Sequence, residues 1–441
     1  DDFLPQSKGG KLPDSLYKII TDEKERKKLV IYINPPYAEA GTTKQRLGTG
    51  SNKSKITTET AVHLRYHSLL GKAGNELFIQ FLVRIYKEIP NCKIGNFSTL
   101  KILQSANFSS FREMFLFKLK RVFLVPASSF DNVNGQFPIG FFVWDGEYLE
   151  EFEEIEAEVF DVNGTQIGNK LLFSLKNLTP LSSFGKDLTN GDTKYIGHFA
   201  ARGNDFQNQN AVFIDNIEEE GKKGGGVHIL ISSKNLLQVA VSFAVRHCIK
   251  ATWLNDRDQF LYPNDGWETD TEFQNDCLAF TLFHGQNRIS SQEGTNHWIP
   301  FTEQEVNART KFESNFMTQF IKGKLKPNGN GDLLNPEKVR TTPLEFSPEA
   351  QAVFEAGRKL WTYYHSQDFE KLQYDEKSNY NPNASLYDIR EHFQGRNEKG
   401  KMNHKSSDET YTQLISDLRD KIRLLAEKIE PKVYEYGFLR K

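Results

Sequence analysis

The run Val30-Ile31-Tyr32-Ile33-Asn34-Pro35-Pro36-Tyr37 constrains this chain more than any other stretch. Four β-branched or aromatic residues in succession predict a buried β-strand. Two prolines then end it, because neither can donate to a ladder. The strand tip presents an amide, a carbonyl and an aromatic ring at the edge where open α/β sheets bind ligands. The Asn34 side-chain oxygen and the Pro35 carbonyl are adjacent acceptors, suited to the two hydrogens of an exocyclic amino group. Tyr37 adds a π-face on which a planar ring can stack. Accepting both hydrogens returns electron density to an amino nitrogen whose lone pair is otherwise delocalised into its ring. That chemistry needs neither a metal nor a covalent intermediate.

Asn-Pro-Pro-Tyr directly after such a strand resembles motif IV of the amino-methyltransferases, in the form typical of DNA adenine-N6 methyltransferases. Softer matches follow in the family's order over the first third of the chain. Asp2 and Phe3 resemble the acid–aromatic pair of motif III, which implies contact with the adenine of S-adenosylmethionine. Phe78, early in a helix predicted over residues 75–88, matches the aromatic that covers the same adenine. Phe137-Pro138, just ahead of an apolar strand over 139–144, matches motif VIII. The resemblance implies that a flipped adenine stacks between Tyr37 and Phe137 while Asn34, Pro35, Pro36 and Tyr37 form the catalytic tip.

No Gly-rich cofactor motif precedes Asn34. The Gly-rich segment at 221–226 follows three glutamates rather than an apolar strand, and is expected to be a turn. The implied fold is α/β: the C-terminal part of a Rossmann-like methyltransferase sheet, then a mixed α+β target-recognition region, then C-terminal helices. The expected boundaries are 1–145, 146–345 and 346–441. The Gly-rich half of the cofactor site is expected on an N-terminal half or a partner subunit.

Composition narrows the class. A chain of 441 residues makes two or three domains, and no apolar run approaches the length of a membrane span. The acidic start, Asp1-Asp2, does not resemble a signal peptide. Cys92, Cys248 and Cys277 are too widely spaced for a zinc site or a disulfide framework, so a cytoplasmic location is expected. His247, His284 and His297 are expected to be ordinary polar or core residues. The net charge of -2 does not mark a nucleic-acid binder, so local charge matters more. Between Arg84 and Arg121 there are eight basic and two acidic residues; between Asp145 and Asp161 nine are acidic and none is basic. One side facing DNA and two ordinary solvated faces are equally consistent with that pattern.

Residues 38–60 are rich in Gly, Ser, Thr and Lys and predict a long loop. Lys44, Arg46, Lys53 and Lys55 within it are candidate contacts to the DNA backbone. Further along, residues 108–120 predict a helix and 121–125 a strand. A hairpin is expected over 153–175 with its turn at Asn163-Gly164. Short segments are expected at 212–214, 227–232, 239–245 and 278–283, carrying side chains able to read base edges. Ser347-Pro348 predicts a helix start, and Ser407 or Asp408 a last helix that stops at Pro431.

The expected activity is transfer of a methyl group to adenine N6 in double-stranded DNA, as part of a bacterial restriction-modification system. Two alternatives remain at this level. One is a DNA-binding specificity module without activity. The other is an Asn-Pro-Pro-Tyr methyltransferase acting on RNA or on a protein glutamine.

Overall fold

The computed structural model describes residues 4–35, 58–130, 135–188, 194–217, 226–325, 342–368 and 381–440. The chain forms two compact units, Asp1–Leu178 with Ala251–Gln259, and Thr179–Lys250 with Phe260–Lys441.

The first unit is built on a six-stranded mixed sheet in the order β1-β2-β4-β3-β5-β6. Strand β1 (Val30–Ile33) follows two short helices, α1 (Asp14–Thr21) and α2 (Glu23–Arg26). It runs parallel to β2 (Lys93–Thr99), with Val30 opposite Lys93 and Ile33 opposite Asn96. The crossover between them carries α3 (Ala61–Leu70) and α4 (Leu77–Glu88), as parallel neighbours require. Helix α4 covers one face of the sheet with Phe78, Ile79, Leu82, Val83 and Ile85, whereas Phe81 points outward. After α5 (Lys101–Gln104) and α6 (Ser109–Met114), β3 (Phe117–Pro126) and β4 (Pro138–Leu149) pair antiparallel, and β4 inserts between β2 and β3. The hairpin of β5 (Glu154–Phe160) and β6 (Gln166–Phe173) completes the sheet, β5 lying parallel to β3. Gly164 sits in its turn at φ +78, a conformation glycine adopts without strain.

Several expectations need correction here. The 145 boundary falls inside β4, and the hairpin placed in a recognition region belongs to this sheet. The helix expected over 108–120 stops at Met114. Two irregularities in β3, at Phe117/Lys118 and Leu119/Arg121, interrupt its two-residue alternation and hide the first half of the strand from a periodicity argument, while the half over 121–125 lies where it was expected. Strand β1 is not buried on both faces: Val30 and Tyr32 are 65% and 67% exposed, while Ile31 and Ile33 pack on the core. It is the outermost strand described. The basic and acidic segments do not segregate either. They are neighbours in the sheet and neutralise each other through Lys93–Glu147 (3.4 Å) and Arg121–Glu158 (3.0 Å), with Lys118 paired to Glu150.

The second unit opens with α7 (Leu181–Asp187) and holds a three-stranded antiparallel sheet in the order β8-β7-β9 (β7 Gly197–Ala201, β8 Val212–Asp215, β9 Val227–Ile231). Helices α8 (Leu236–His247) and α9 (Thr271–Phe283) form its centre. Both were expected as short segments of a recognition surface. They are instead helices apolar on nearly every side, with Val239 to Val245 and Phe273 buried throughout, as a helix inside a core must be. Then come α10 (Phe316–Ile321), α11 (Pro348–His365), α12 (Leu386–Gln394) and α13 (Glu409–Glu435). Residues 346–441 therefore make no separate region: α11 and α13 share one apolar cluster with α8 and α9. Ser347 caps α11, its Oγ accepting from Ala350 N (3.2 Å). Helix α13 starts at the Asp408 cap but runs through Pro431 to Glu435. Its last turn is held from outside, by Tyr436 Oη donating to Asp270 Oδ2 (2.6 Å) and by burial of Val433 and Phe438.

Between the two parts of the second unit, Ala251–Gln259 returns to the first. There Trp253 and Leu254 pack on its core, and Lys170 Nζ pairs with Asp258 (2.6 Å). No sequence signal foretold this excursion. Among the described residues no helix is long and apolar enough to cross a membrane, and no group of three His, Cys, Asp or Glu is placed to hold a metal ion.

Candidate functional site

The tip of β1 leads directly into Asn34 and Pro35; Asn34 is exposed and Pro35 buried. Parallel pairing with β2 places this tip at the carboxyl edge of the two strands, where backbone groups leave the ladder and ligands can approach. Opposite Ile33, Asn96 of β2 is fully buried, and its Oδ1 accepts from Trp144 Nε1 of β4 (2.9 Å). That bond satisfies the buried indole and ties β2 to β4 beneath the tip. Pro36 and Tyr37 lie outside the described residues, as do Asp2, Phe3 and the loop cations Lys44, Arg46, Lys53 and Lys55.

Phe137 arrives at the same edge. Ile139 pairs with Thr99 at the carboxyl end of β2, so Phe137-Pro138 enters the sheet beside the strand that neighbours β1. Two strand spacings, about 10 Å, separate β1 from β4. Phe137 is half-buried, and its ring occupies the space a Cβ at position 135 would need, so Gly135 is required for this close turn. The structure thus brings Asn34, Pro35 and Phe137 to one edge.

Phe78 stands in the first turn of α4. It is 1% exposed inside the helical layer, its ring stacked on Phe108 with centroids 6.0 Å apart. The Gly-rich segment 221–225 lies outside the described residues.

The face of the sheet opposite α4 is left open among the described residues. Tyr32, Phe97, Phe141 and Phe123 form a continuous aromatic surface, with centroid separations of 6.4 Å (Tyr32–Phe97), 4.9 Å (Phe97–Phe141) and 5.1 Å (Phe123–Phe141). Towards β5 it deepens into a cavity of about 490 Å³ between Phe123, Phe141, Val143 and Phe160, rimmed by the Arg121–Glu158 ion pair.

The three cysteines are free and buried, and burial pushes the Cys92 thiol up to about 12. His247 and His284 stack on each other at 4.6 Å, and His247 Nε2 lies 3.0 Å from the Val212 carbonyl. Burial lowers the proton affinity of both. His297 Nδ1 lies 2.7 Å from Ser314 Oγ.

One group of polar residues in the second unit carried no individual sequence signal. Arg288 lies over the Phe213 ring at 4.1 Å. Its Nε (3.1 Å) and Nη2 (2.6 Å) donate to Gln286 Oε1, and Nη2 also donates to the Asn210 carbonyl (3.2 Å). In the sequence these residues are scattered among other amides, and only the fold collects them.

No family model matches the chain, and no curated protein matches it. Among solved structures it is similar to the ATP-dependent Type ISP restriction-modification enzyme LlaBIII bound to DNA, with 12% sequence identity and a TM-score of 0.23. The match covers 42% of this chain, which spans only 15% of that one.

Proposed function

We propose that this chain contributes the target-base side of an S-adenosylmethionine-dependent DNA methyltransferase acting on adenine N6. The observation that carries the reading is the placement of Asn34-Pro35, the first half of Asn-Pro-Pro-Tyr, at the carboxyl tip of a strand in a parallel βαβ unit. Phe137 at the same edge adds support, because a flipped base needs a second wall.

The described residues do not make a pocket for S-adenosylmethionine. Phe78 is 1% exposed among the described residues, and no described Gly-rich turn adjoins the β1 tip. The reading therefore assigns the cofactor's methionine side to a Gly-rich segment elsewhere in the protein or on a partner subunit. The open edge of β1 and the bare aromatic face beside it offer such a layer both a ladder to extend and a surface to cover.

On the base side, Asn34 Oδ1 and the Pro35 carbonyl accept the two N6 hydrogens. This fixes the amino group in orientation and makes its lone pair available. Tyr37 and Phe137 hold the ring between them. Catalysis on this side is positioning and electrostatics.

The test is methyl transfer from radiolabelled S-adenosylmethionine to unmethylated DNA, with nucleoside analysis of the product. N6-methyladenine is expected from the full-length protein, and Asn34→Ala is expected to lower the rate at least about 100-fold with DNA binding retained. Near-normal transfer by Asn34→Ala would sink the mechanism, and label found in protein or RNA would move the assignment to another substrate.

A further inference from the structure

The turn after α9, His284-Gly285-Gln286-Asn287-Arg288, is held as firmly as a strand. Ile214 N of β8 donates to the Gln286 carbonyl (3.1 Å), and Arg288 N donates to the Ile214 carbonyl (2.7 Å). Just beyond it, Ser290 N donates to Asn216 Oδ1 (2.7 Å) and Asn216 Nδ2 donates to the Ser290 carbonyl (2.9 Å). Asp388 of α12 clamps the same loop by accepting from Ser290 Oγ (2.6 Å) and Ser291 N (3.0 Å). That clamp sets α12 against the turn, and Arg390 Nη1 donates to the Gly285 carbonyl (3.2 Å).

The result is a surface that carries Arg288 and Arg390 beside one another around the Gly285 turn. Some arginines elsewhere are paired, as Arg121 with Glu158, Arg358 with Glu355, Arg396 with Glu391 and Arg423 with Glu427, while others, as Arg112 and Arg246, donate to backbone carbonyls. Arg288, Arg390 and the exposed Arg419 of α13 form no ion pair with any described residue. Two carboxylates of α12 are engaged otherwise, Asp388 by the loop and Glu391 by Arg396. Asp215 acts on Arg288 only as a nearby charge. Arg390 and Arg419 repel each other's charge, and burial adds to the cost of keeping Arg390 charged. Arginines at a surface that form no ion pair with a described residue favour an anionic partner.

The arginines differ in how tightly they are held. Arg419 is exposed and tied to no described residue, which suits a phosphate. Arg288 is fixed on three sides, by the Phe213 ring, Gln286 Oε1 and the Asn210 carbonyl, so that only Nη1 keeps unshared hydrogens among the described residues. A guanidinium aimed this narrowly suits an acceptor of fixed position rather than a mobile phosphate. In the major groove, guanine O6 and N7 are such acceptors.

We propose that this surface of the second unit grips duplex DNA, with Arg390 and Arg419 on phosphates and Arg288, braced by Gln286, reading a guanine edge. It rests on the DNA part of the function proposed above, not on methyl transfer.

The test is binding of the full-length protein to a randomised duplex pool, followed by titration of the selected sequence at several salt concentrations. Arg390→Ala and Arg419→Ala are each expected to lower the slope of log affinity against log salt by about 1 while leaving the selected sequence unchanged. Arg288→Ala and Arg288→Lys are expected to erase the preference at one base pair. Melting curves of each variant confirm that it folds, and the exposed Arg419 keeps the test decisive should an Arg288 variant unfold. Wild-type binding with slope and sequence preference unchanged in all of these variants would overturn the proposal. A wild-type protein that does not bind duplex DNA, or prefers single-stranded RNA, would overturn both this surface and the DNA reading. Binding through this surface without methyl transfer would support the surface and overturn only the activity.

Discussion

Four hydrogen bonds converge on the Asp388 carboxylate, from Ser290 Oγ, Ser291 N, Ser291 Oγ and Ser385 N. Its own N–H donates back to Ser385 Oγ (3.1 Å), so one residue both caps α12 and pins the loop beside Arg288. Asp388→Ala would leave several buried donors without an acceptor. The expected loss is about 3 kcal/mol, which for a unit of this size lowers the melting temperature by about 6–12 °C; calorimetry reads it directly. His365 supplies a second prediction at this scale. It is 1% exposed, and burial, aided by nearby Arg309, lowers its pKa to about 4 from 6.5. The unfolded chain then binds more protons than the folded one between those values. The stability it contributes is complete above pH 6.5 and falls as pH drops towards 4, by up to about 3 kcal/mol. Urea unfolding at a series of pH values should show that slope, and His365→Gln should flatten it by close to one proton. A slope unchanged in His365→Gln would show that other groups dominate the acid limb.

Helix packing yields a prediction in which two effects oppose each other. Gly357 lies in the middle of α11, where alanine is ordinarily favoured by about 1 kcal/mol. Yet a Cβ there would collide with the Phe283 ring of α9, which is 1% exposed and wedged among Phe301, Phe354 and Trp361. The ring has nowhere to go, so the overpacking penalty of about 1–3 kcal/mol wins, and Gly357→Ala should lower the melting temperature rather than raise it. This glycine shows why elements were unevenly legible from sequence. Local chemistry was readable wherever a cap or turn acts on its immediate neighbours: Ser347-Pro348, Asp408 and Asn163-Gly164 all sit at the element ends their residue types predict. Helices α8 and α9 were not recognised because burial on all sides erases the 3.6-residue pattern. The first half of strand β3 was missed because its irregularities break the two-residue one. Pro431 was taken for a stop because the contacts that carry α13 past it come from Asp270, over a hundred residues away in sequence. Of the candidate site, the β1 tip was legible because strand and breaker are adjacent in the chain. The Arg288 surface was not, since Asn210, Phe213, Gln286 and Arg390 meet only through tertiary contacts.

Across the first unit, the sheet has two unlike faces. One is sealed by α4 and its neighbours; the other presents Tyr32, Phe97, Phe123 and Phe141 beside a β1 edge that no described strand pairs. Sheets with parallel strands are ordinarily covered on both faces, and an apolar patch of this kind marks a contact surface. Tyr32 is the sharpest probe, because at 67% exposure its replacement removes little of the buried core. In this chain as it stands, the face should bind an environment-sensitive apolar dye, and Tyr32→Asp should reduce that fluorescence severalfold with the melting temperature shifted by less than about 2 °C, since surface changes usually stay within about 0.5 kcal/mol. In the full-length protein the consequence reverses in kind. If the layer that brings the Gly-rich segment lies on this face, a carboxylate at position 32 is buried without a partner there. Affinity for S-adenosylmethionine should then fall while the second unit keeps its hold on DNA, which equilibrium dialysis and DNA titration of the same preparation separate. Unchanged cofactor affinity in Tyr32→Asp would mean that the cofactor half approaches along the β1 edge without covering the aromatic face, and that the face serves another contact.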